Sequence, residues 1–69
     1  MDSSQENNLG IRIKKARLKM GLSQDGLARK ADVPYTTLTK VEGSVIKKPS
    51  VFVVAKIAKA LNTSIDDLI

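Results

Sequence analysis

Residues 23–43 read SQDGLARKADVPYTTLTKVEG, and this stretch predicts two short helices joined by a tight turn. Apolar residues recur at helical spacing in both, namely Leu27, Ala28, Ala31, Leu38 and Val41. Val33 fills the turn between the helices, and Ala28 is small enough for two helix axes to cross closely beside it. The pattern therefore predicts two helices held at a fixed angle.

Local signals predict where these helices begin and end. Ser23 is a good N-cap for a helix over 24–31. Asp32 occupies the turn and tolerates left-handed backbone angles better than most residues. The second helix runs to Glu42, where Gly43 ends it. Such a pair is a helix-turn-helix, a motif whose second helix enters the major groove of DNA.

The segment before this pair predicts another helix. Its inner face carries a stripe at helical spacing, composed of Leu9, Ile13, Ala16, Arg17 and Met20. Gly21 ends this helix as a left-handed cap.

The segment after the pair predicts two more helices. Ser50 begins a helix that runs to Leu61, and Asn62 suits a left-handed terminator. The buried stripe of this helix is predicted to be Val51, Val54, Ile57, Ala58 and Leu61. Ser64 starts a last short helix over 65–69 in the manner of a capping box. The expected architecture is one all-α domain of five helices over 9–69, after a polar tail over 1–8.

Length and composition limit the class of protein. A chain of 69 residues with one Tyr, one Phe and no Trp builds a small aliphatic core. The absence of Cys and His removes disulfides, the commonest metal ligand and the commonest general base. No Gly-rich phosphate loop, metal-ligand spacing, membrane-length apolar run or signal peptide is present. We predict no enzyme activity, cofactor, metal, membrane or small-molecule ligand, and a location in the cytoplasm at the nucleoid.

The positive charge of the chain is unevenly distributed. Residues 1–10 carry two acidic side chains and no basic one, whereas residues 11–48 carry ten Lys or Arg against three Asp or Glu. Residues 49–69 are balanced, with two charges of each sign. Because the excess coincides with the helix-turn-helix and its flanks, it predicts a double-stranded DNA partner rather than a merely solvated face.

From residue 9 to residue 68 the chain resembles the lambda-repressor-like, Cro/repressor-type family of helix-turn-helix proteins. The features that carry the resemblance keep a fixed order and spacing: Arg12-Ile13, Arg17, Gly21-Leu22-Ser23-Gln24, Leu27-Ala28, Val33, Leu38, Val41-Glu42-Gly43, Pro49, Ile57 to Leu61 and Ser64 to Leu68. The resemblance implies a compact five-helix DNA-binding domain. Three positions depart from the family pattern. Asp32 stands where the family usually has a turn glycine, and Gly26 stands where it usually has a good helix former. Pro34 stands where the family often has a Ser or Thr N-cap, so the second helix of the motif begins at Pro34 or Tyr35.

The resemblance also implies which residues read DNA bases. In similar proteins the first residues of the second helix, and residues one turn later, point into the major groove. These positions are Tyr35, Thr36, Thr39 and Lys40, which remain outward when Leu38 and Val41 face the core. Lysine can donate to guanine O6 and N7, and threonine can hydrogen-bond or touch a thymine methyl group.

Phosphate contacts are expected on both sides of that helix. Gln24 opens its helix, where free backbone N–H groups favour an anion. We expect the DNA phosphates to be contacted by Lys47 and Lys48 together with the main-chain groups of Gly43 and Ser44. Val45 and Ile46 in the same loop either pack on the helices or form a dimer contact.

The resemblance implies a partly buried salt bridge between Arg17 and Glu42 that ties two helices together. Arginine offers a bidentate link, and its spare N–H groups could also face a phosphate.

The leading function hypothesis is a sequence-specific transcriptional regulator, a repressor, that binds a palindromic operator as a weak homodimer stabilised on DNA. The candidate self-contact lies around Ile65, Leu68 and Ile69, with the Val45–Ile46 loop as the competing surface. One alternative is the DNA-binding module of an antitoxin, a restriction–modification controller or a larger protein such as a methyltransferase. Another is a protein-bridging adaptor, against which the basic surface and the lack of a large apolar stripe argue.

Overall fold

The computed structural model describes residues 8–68, and within this range the chain forms five helices and no strand. The helices are α1 (Asn8–Lys19), α2 (Gln24–Ala31), α3 (Tyr35–Glu42), α4 (Val51–Ala60) and α5 (Ile65–Leu68). The predicted all-α architecture is confirmed. Between residues 8 and 68, no helix combines the length and apolar character that a bilayer crossing requires.

A single aliphatic core holds the five helices together. Its side chains without appreciable exposure are Ile13, Leu27, Leu38, Val41, Ile57 and Leu68. Helix α2 packs against α3 and α4, and α1 packs against α3 and α5. Helix α3 is therefore supported on its inner side by α1 and α2, and this support determines which of its residues face outward.

The predicted N-caps of α2 and α4 agree with the observed hydrogen bonds, whereas α4 ends at Ala60, one residue before the predicted Leu61. The Ser23 hydroxyl accepts from the Gly26 N–H at 2.9 Å, and the Ser50 hydroxyl accepts from the Val53 N–H at 3.2 Å. The residues predicted to adopt left-handed backbone angles do so, with φ values of +73°, +59° and +58° at Gly21, Asp32 and Asn62. Helix boundaries in this chain are thus set by residues within one turn of each end.

The end of α3 differs in detail from a glycine-terminated helix. The helix stops at Glu42 as predicted, but Gly43 has an ordinary φ of −85°. The left-handed residue is Ser44, with φ +64°. The Val45 N–H then donates back to the Lys40 carbonyl at 2.8 Å. The first residues of the following loop are consequently folded onto the last turn of α3.

Two predicted core positions are wrong. Val51 is 62 % exposed, and the buried stripe of α4 contains Ala60 instead, with Val53 packed beside it. Met20 is exposed because α1 ends at Lys19. The chain turns at Gly21, and Leu22 contacts the core in place of Met20.

The structure removes Leu68 from the C-terminal self-contact expected from the sequence. Leu68 is fully enclosed in the core, so it is unavailable to a second copy. Ile65 packs against the same core, and Ile69 lies outside the described residues. In the competing loop, Ile46 packs against the core whereas Val45 is largely exposed.

Candidate nucleic-acid interface

Helix α3 presents a polar outer face on a buried apolar base. Leu38 and Val41 are buried, while Tyr35, Thr36 and Lys40 are exposed. A helix anchored through one face displays the opposite residues at fixed positions. Three of the four predicted base-reading residues therefore project from a rigidly held helix.

The fourth, Thr39, is half-buried and already makes a hydrogen bond. Its hydroxyl donates to the Thr36 carbonyl at 2.9 Å, one turn back in the same helix. Because the proton is engaged, Thr39 can still accept a hydrogen bond from an adenine or cytosine amino group, or offer its methyl group to thymine.

The N-terminal end of α3 is electropositive. Pro34 is the N-cap and provides no side-chain hydrogen bond, and the first turn contains no acidic residue. The first main-chain bond of the helix runs from the Leu38 N–H to the Pro34 carbonyl. The N–H groups of the first helical residues thus have no intrahelical acceptor, and the helix dipole favours an anion here.

Arg17 and Glu42 form a bidentate ion pair inside the domain. Arg17 Nε donates to Glu42 Oε2 at 2.8 Å, and Arg17 Nη2 donates to Glu42 Oε1 at 3.1 Å. The two residues are only 6 % and 9 % exposed. Since Arg17 belongs to α1 and Glu42 ends α3, the pair joins these two helices.

Two more hydrogen bonds extend this pair to α2. Arg17 Nη1 donates to the Leu22 carbonyl at 2.9 Å, and Gln24 Nε2 donates to Glu42 Oε1 at 3.1 Å. No buried side-chain N or O atom of the described residues is left without a partner. The network, Leu22–Arg17–Glu42–Gln24, joins α1, α2, their connection and the end of α3.

The network limits what Arg17 and Gln24 can offer to a phosphate. Three of the five guanidinium N–H groups of Arg17 are bonded within the protein, and the side chain is buried. Gln24 is half-buried and uses one of its two amide hydrogens on Glu42. The second amide hydrogen of Gln24 is free to donate without breaking the network. Phosphate binding by either residue stays a prediction.

The loop after α3 carries two lysines, but its first two backbone N–H groups donate to carbonyls of α3. The Gly43 N–H donates to the Thr39 carbonyl at 2.9 Å, and the Ser44 N–H donates to the Val41 carbonyl at 3.2 Å. This differs from the expectation that the backbone N–H groups of Gly43 and Ser44 would bind a phosphate, because both are already satisfied. Lys47 and Lys48 are exposed, and neither forms an ion pair within residues 8–68.

Gly10 also determines the position of α3, a role that was not predicted from the sequence. A Cβ atom at this position would lie 2.6 Å from the Val41 carbonyl oxygen and 2.7 Å from that of Glu42. Real Cβ atoms do not approach backbone oxygens so closely, so α1 and α3 can touch here only because residue 10 lacks a side chain. A sequence signal exists, because Gly10 shares the face of α1 that carries Ile13 and Arg17.

Comparison with known protein families agrees with this geometry. A family model described as helix-turn-helix matches residues 13–68, which is most of the chain. The chain belongs to the lambda-repressor-like helix-turn-helix family. No characterised protein and no solved structure gives a significant match. As a member of this family the chain is a DNA-binding domain, and α2 and α3 are the two helices of its helix-turn-helix.

Proposed function

We propose that this domain is a sequence-specific transcriptional regulator that inserts α3 into the major groove of an operator and represses transcription there. The observation that supports this most strongly is the polar outer face of α3 on a base fixed by buried residues and by the ion-pair network. A regulator of this kind acts at the nucleoid. Repression follows when the occupied site overlaps the one used by the transcription machinery.

Base reading is assigned to the outer face of α3. Lys40 donates to guanine O6 and N7, and Thr36 hydrogen-bonds a base edge or contacts a thymine methyl group. Thr39 contributes its acceptor capacity or its methyl group, because its proton is used within the helix. Tyr35, at the electropositive start of α3, donates to a phosphate or reaches a base edge.

Phosphate contacts fix the orientation of α3 in the groove. Gln24 donates its free amide hydrogen on one side, and the buried Arg17 supports it through Glu42. Lys47 and Lys48 contact the backbone on the other side, with the Ser44 hydroxyl beside them. The contact surface thus extends from the start of α2 to the loop after α3.

A homodimer on a palindromic operator supplies the information that one helix lacks. One recognition helix covers only a few base pairs, and two copies about 34 Å apart double the readout. Because Leu68 is buried in the core, the loop that carries the exposed Val45 is a better candidate for the self-contact than the C-terminal residues. Phe52, which is 77 % exposed, lies close to this loop in the sequence. Such a patch is small compared with the roughly 800 Å² per partner of a stable interface. The dimer is therefore weak in solution and is held together by DNA.

Selection of duplexes from a random pool, followed by sedimentation of the complex, tests this function. We expect an enriched palindrome whose half-sites are one helical turn apart, bound by two chains, and a free protein that is monomeric at low micromolar concentration. Failure to enrich any sequence would refute specific binding, and one chain per selected site would refute the dimer.

Lys40→Ala is expected to weaken binding to the selected operator by about 1–3 kcal/mol and to relax the preference at one base pair of each half-site. The physical reason is the loss of a donor pair directed at one guanine. The affinities of the wild type and of Lys40→Ala are measured for operators that carry each of the four base pairs at every position. The position at which the preference is lost identifies the base pair that Lys40 contacts.

The Lys47→Ala/Lys48→Ala double variant is the matched control for Lys40→Ala. Loss of two phosphate contacts should weaken specific and non-specific binding alike and reduce the slope of log K against log salt by about 2. If Lys40→Ala behaves in the same uniform way, Lys40 contacts phosphate and not a base.

A further inference from the structure

A groove lies beside α1, on a different face of this helix from the one that contacts α3. Its volume is about 780 Å³, and α1, the connection between α4 and α5, and α5 itself form its walls. On α1, positions 10 and 17 contact α3, whereas the lining positions 12, 15 and 19 lie on the opposite side of the helix. The groove is thus separated from α3 by the width of α1.

The groove combines exposed apolar side chains with a basic edge. Leu18 on α1 is 57 % exposed, and Met20, just after the end of α1, is also exposed. Arg12, Lys15 and Lys19 line the same groove. Methionine in such a place adapts to partners of different shape.

The charges in this groove are unbalanced. Asp67 is its one acidic residue, and its carboxylate accepts a hydrogen bond from the Thr63 hydroxyl at 3.1 Å. Arg12 reaches only the Asp67 backbone carbonyl, at 3.4 Å. Between residues 8 and 68, Lys15 and Lys19 make no ion pair. The groove therefore has a net positive charge that its own residues do not neutralise.

We propose that this groove docks an acidic amphipathic helix of a partner protein while α3 is free to hold DNA. The apolar residues of the partner cover Leu18 and Met20, and its carboxylates pair with Lys15 and Lys19. The stretch of α1 from Arg12 to Lys19 is about 10.5 Å long, which matches two turns of a helix. DNA does not explain the groove as well, because phosphate contacts are polar and need no apolar floor.

Amide chemical shifts of the labelled protein, recorded without DNA, test the proposal. The probe is a 14-residue helical peptide with leucines along one face and glutamates elsewhere, and the control peptide carries lysine in place of every glutamate. We expect the acidic peptide to shift residues 11–20 and 61–67, and the control peptide to bind at least tenfold more weakly. Equal binding of both peptides, or shifts centred on α3 and the 44–48 loop, would overturn the proposal.

Matched variants separate docking from general charge attraction. Leu18→Ser and Lys15→Glu should each weaken peptide binding at least fivefold. Val51→Ser and Lys30→Glu, which change an exposed valine and an exposed lysine elsewhere, should stay within twofold of the wild type. Equal effects of Lys15→Glu and Lys30→Glu on peptide binding would refute a specific groove.

Binding to the selected operator distinguishes a protein site from part of the DNA surface. Lys15→Glu and Lys30→Glu alter the net charge equally, so the proposal expects the same modest loss of DNA affinity from both. A loss at least tenfold larger for Lys15→Glu would mean that this cation contacts a phosphate, which would overturn the proposal. The peptide result does not depend on whether α3 reads a base sequence, so the two proposals fail separately.

Discussion

Glu42→Ala is expected to lower the free energy of unfolding by about 3–5 kcal/mol, since it leaves the buried Arg17 guanidinium without its carboxylate. It also removes the acceptor of the Gln24 amide, so α2 loses its link to the end of α3. A domain of this length has a total stability of roughly 3–10 kcal/mol. Urea denaturation followed by circular dichroism should therefore find the variant close to unfolding at room temperature.

Arg17→Ala and the Arg17→Ala/Glu42→Ala double variant complete the test. Either single change leaves one buried charge without its partner, whereas the double variant removes both charges. The double variant should therefore lower the free energy of unfolding by clearly less than the sum of the two single changes. Asp25 and Arg29 form a surface ion pair at 3.1 Å and serve as the control. Alanine at either control position should change stability by no more than about 0.5 kcal/mol. Strict additivity of the Arg17 and Glu42 effects would show that the pair is not coupled.

Gly10→Ala is expected to destabilise the domain by about 1–2 kcal/mol and to displace α3. The added Cβ would meet two backbone oxygens at 2.6 and 2.7 Å, and backbone cannot move aside as a side chain does. Relief requires the two helices to separate by roughly 0.7 Å to reach an ordinary carbon–oxygen contact. The cost of such overpacking, about 1–3 kcal/mol, exceeds the gain of up to about 1 kcal/mol from replacing a helical glycine.

Gly26→Ala is the matched control, because it makes the same chemical change inside another helix. Its Cβ would lie 3.2 Å from the Ser23 hydroxyl oxygen and 3.7 Å from a Leu22 methyl group, both on side chains. We expect a stability change within about 0.5 kcal/mol, because the gain in helix propensity is partly offset by a shift of the Ser23 hydroxyl of a few tenths of an ångström. Under conditions where both variants are folded, Gly10→Ala should lose operator affinity and keep its non-specific binding. A Gly10→Ala protein as stable and as specific as Gly26→Ala would contradict the proposed role.

Much of the candidate interface could be predicted from the sequence because it depends on one helix. The burial of Leu38 and Val41 follows from their spacing, and this leaves Thr36 and Lys40 outward. The availability of individual donors could not be predicted in this way. The N–H groups of Gly43 and Ser44 are used by carbonyls of α3, and only the actual path of the loop shows that.

The sequence by itself determined most of the helix ends, because a cap involves residues within one turn. Ser23 and Ser50 accept hydrogen bonds from amides three residues later, and Asp32 and Asn62 adopt the left-handed angles that end a helix. These interactions depend on backbone geometry that neighbouring residues create together, so a short stretch is enough to specify them.

Only the tertiary structure decided which side chains meet across the domain. Val51 fits the apolar spacing of α4 yet lies in solvent, and Leu68 fits a surface contact yet lies in the core. Gly10 approaches the last carbonyls of α3 across more than thirty residues of chain, and Gln24 joins the Arg17–Glu42 pair from a third helix. Spacing along one helix defines a face but not the partner that covers it, since the partner depends on how all five helices pack.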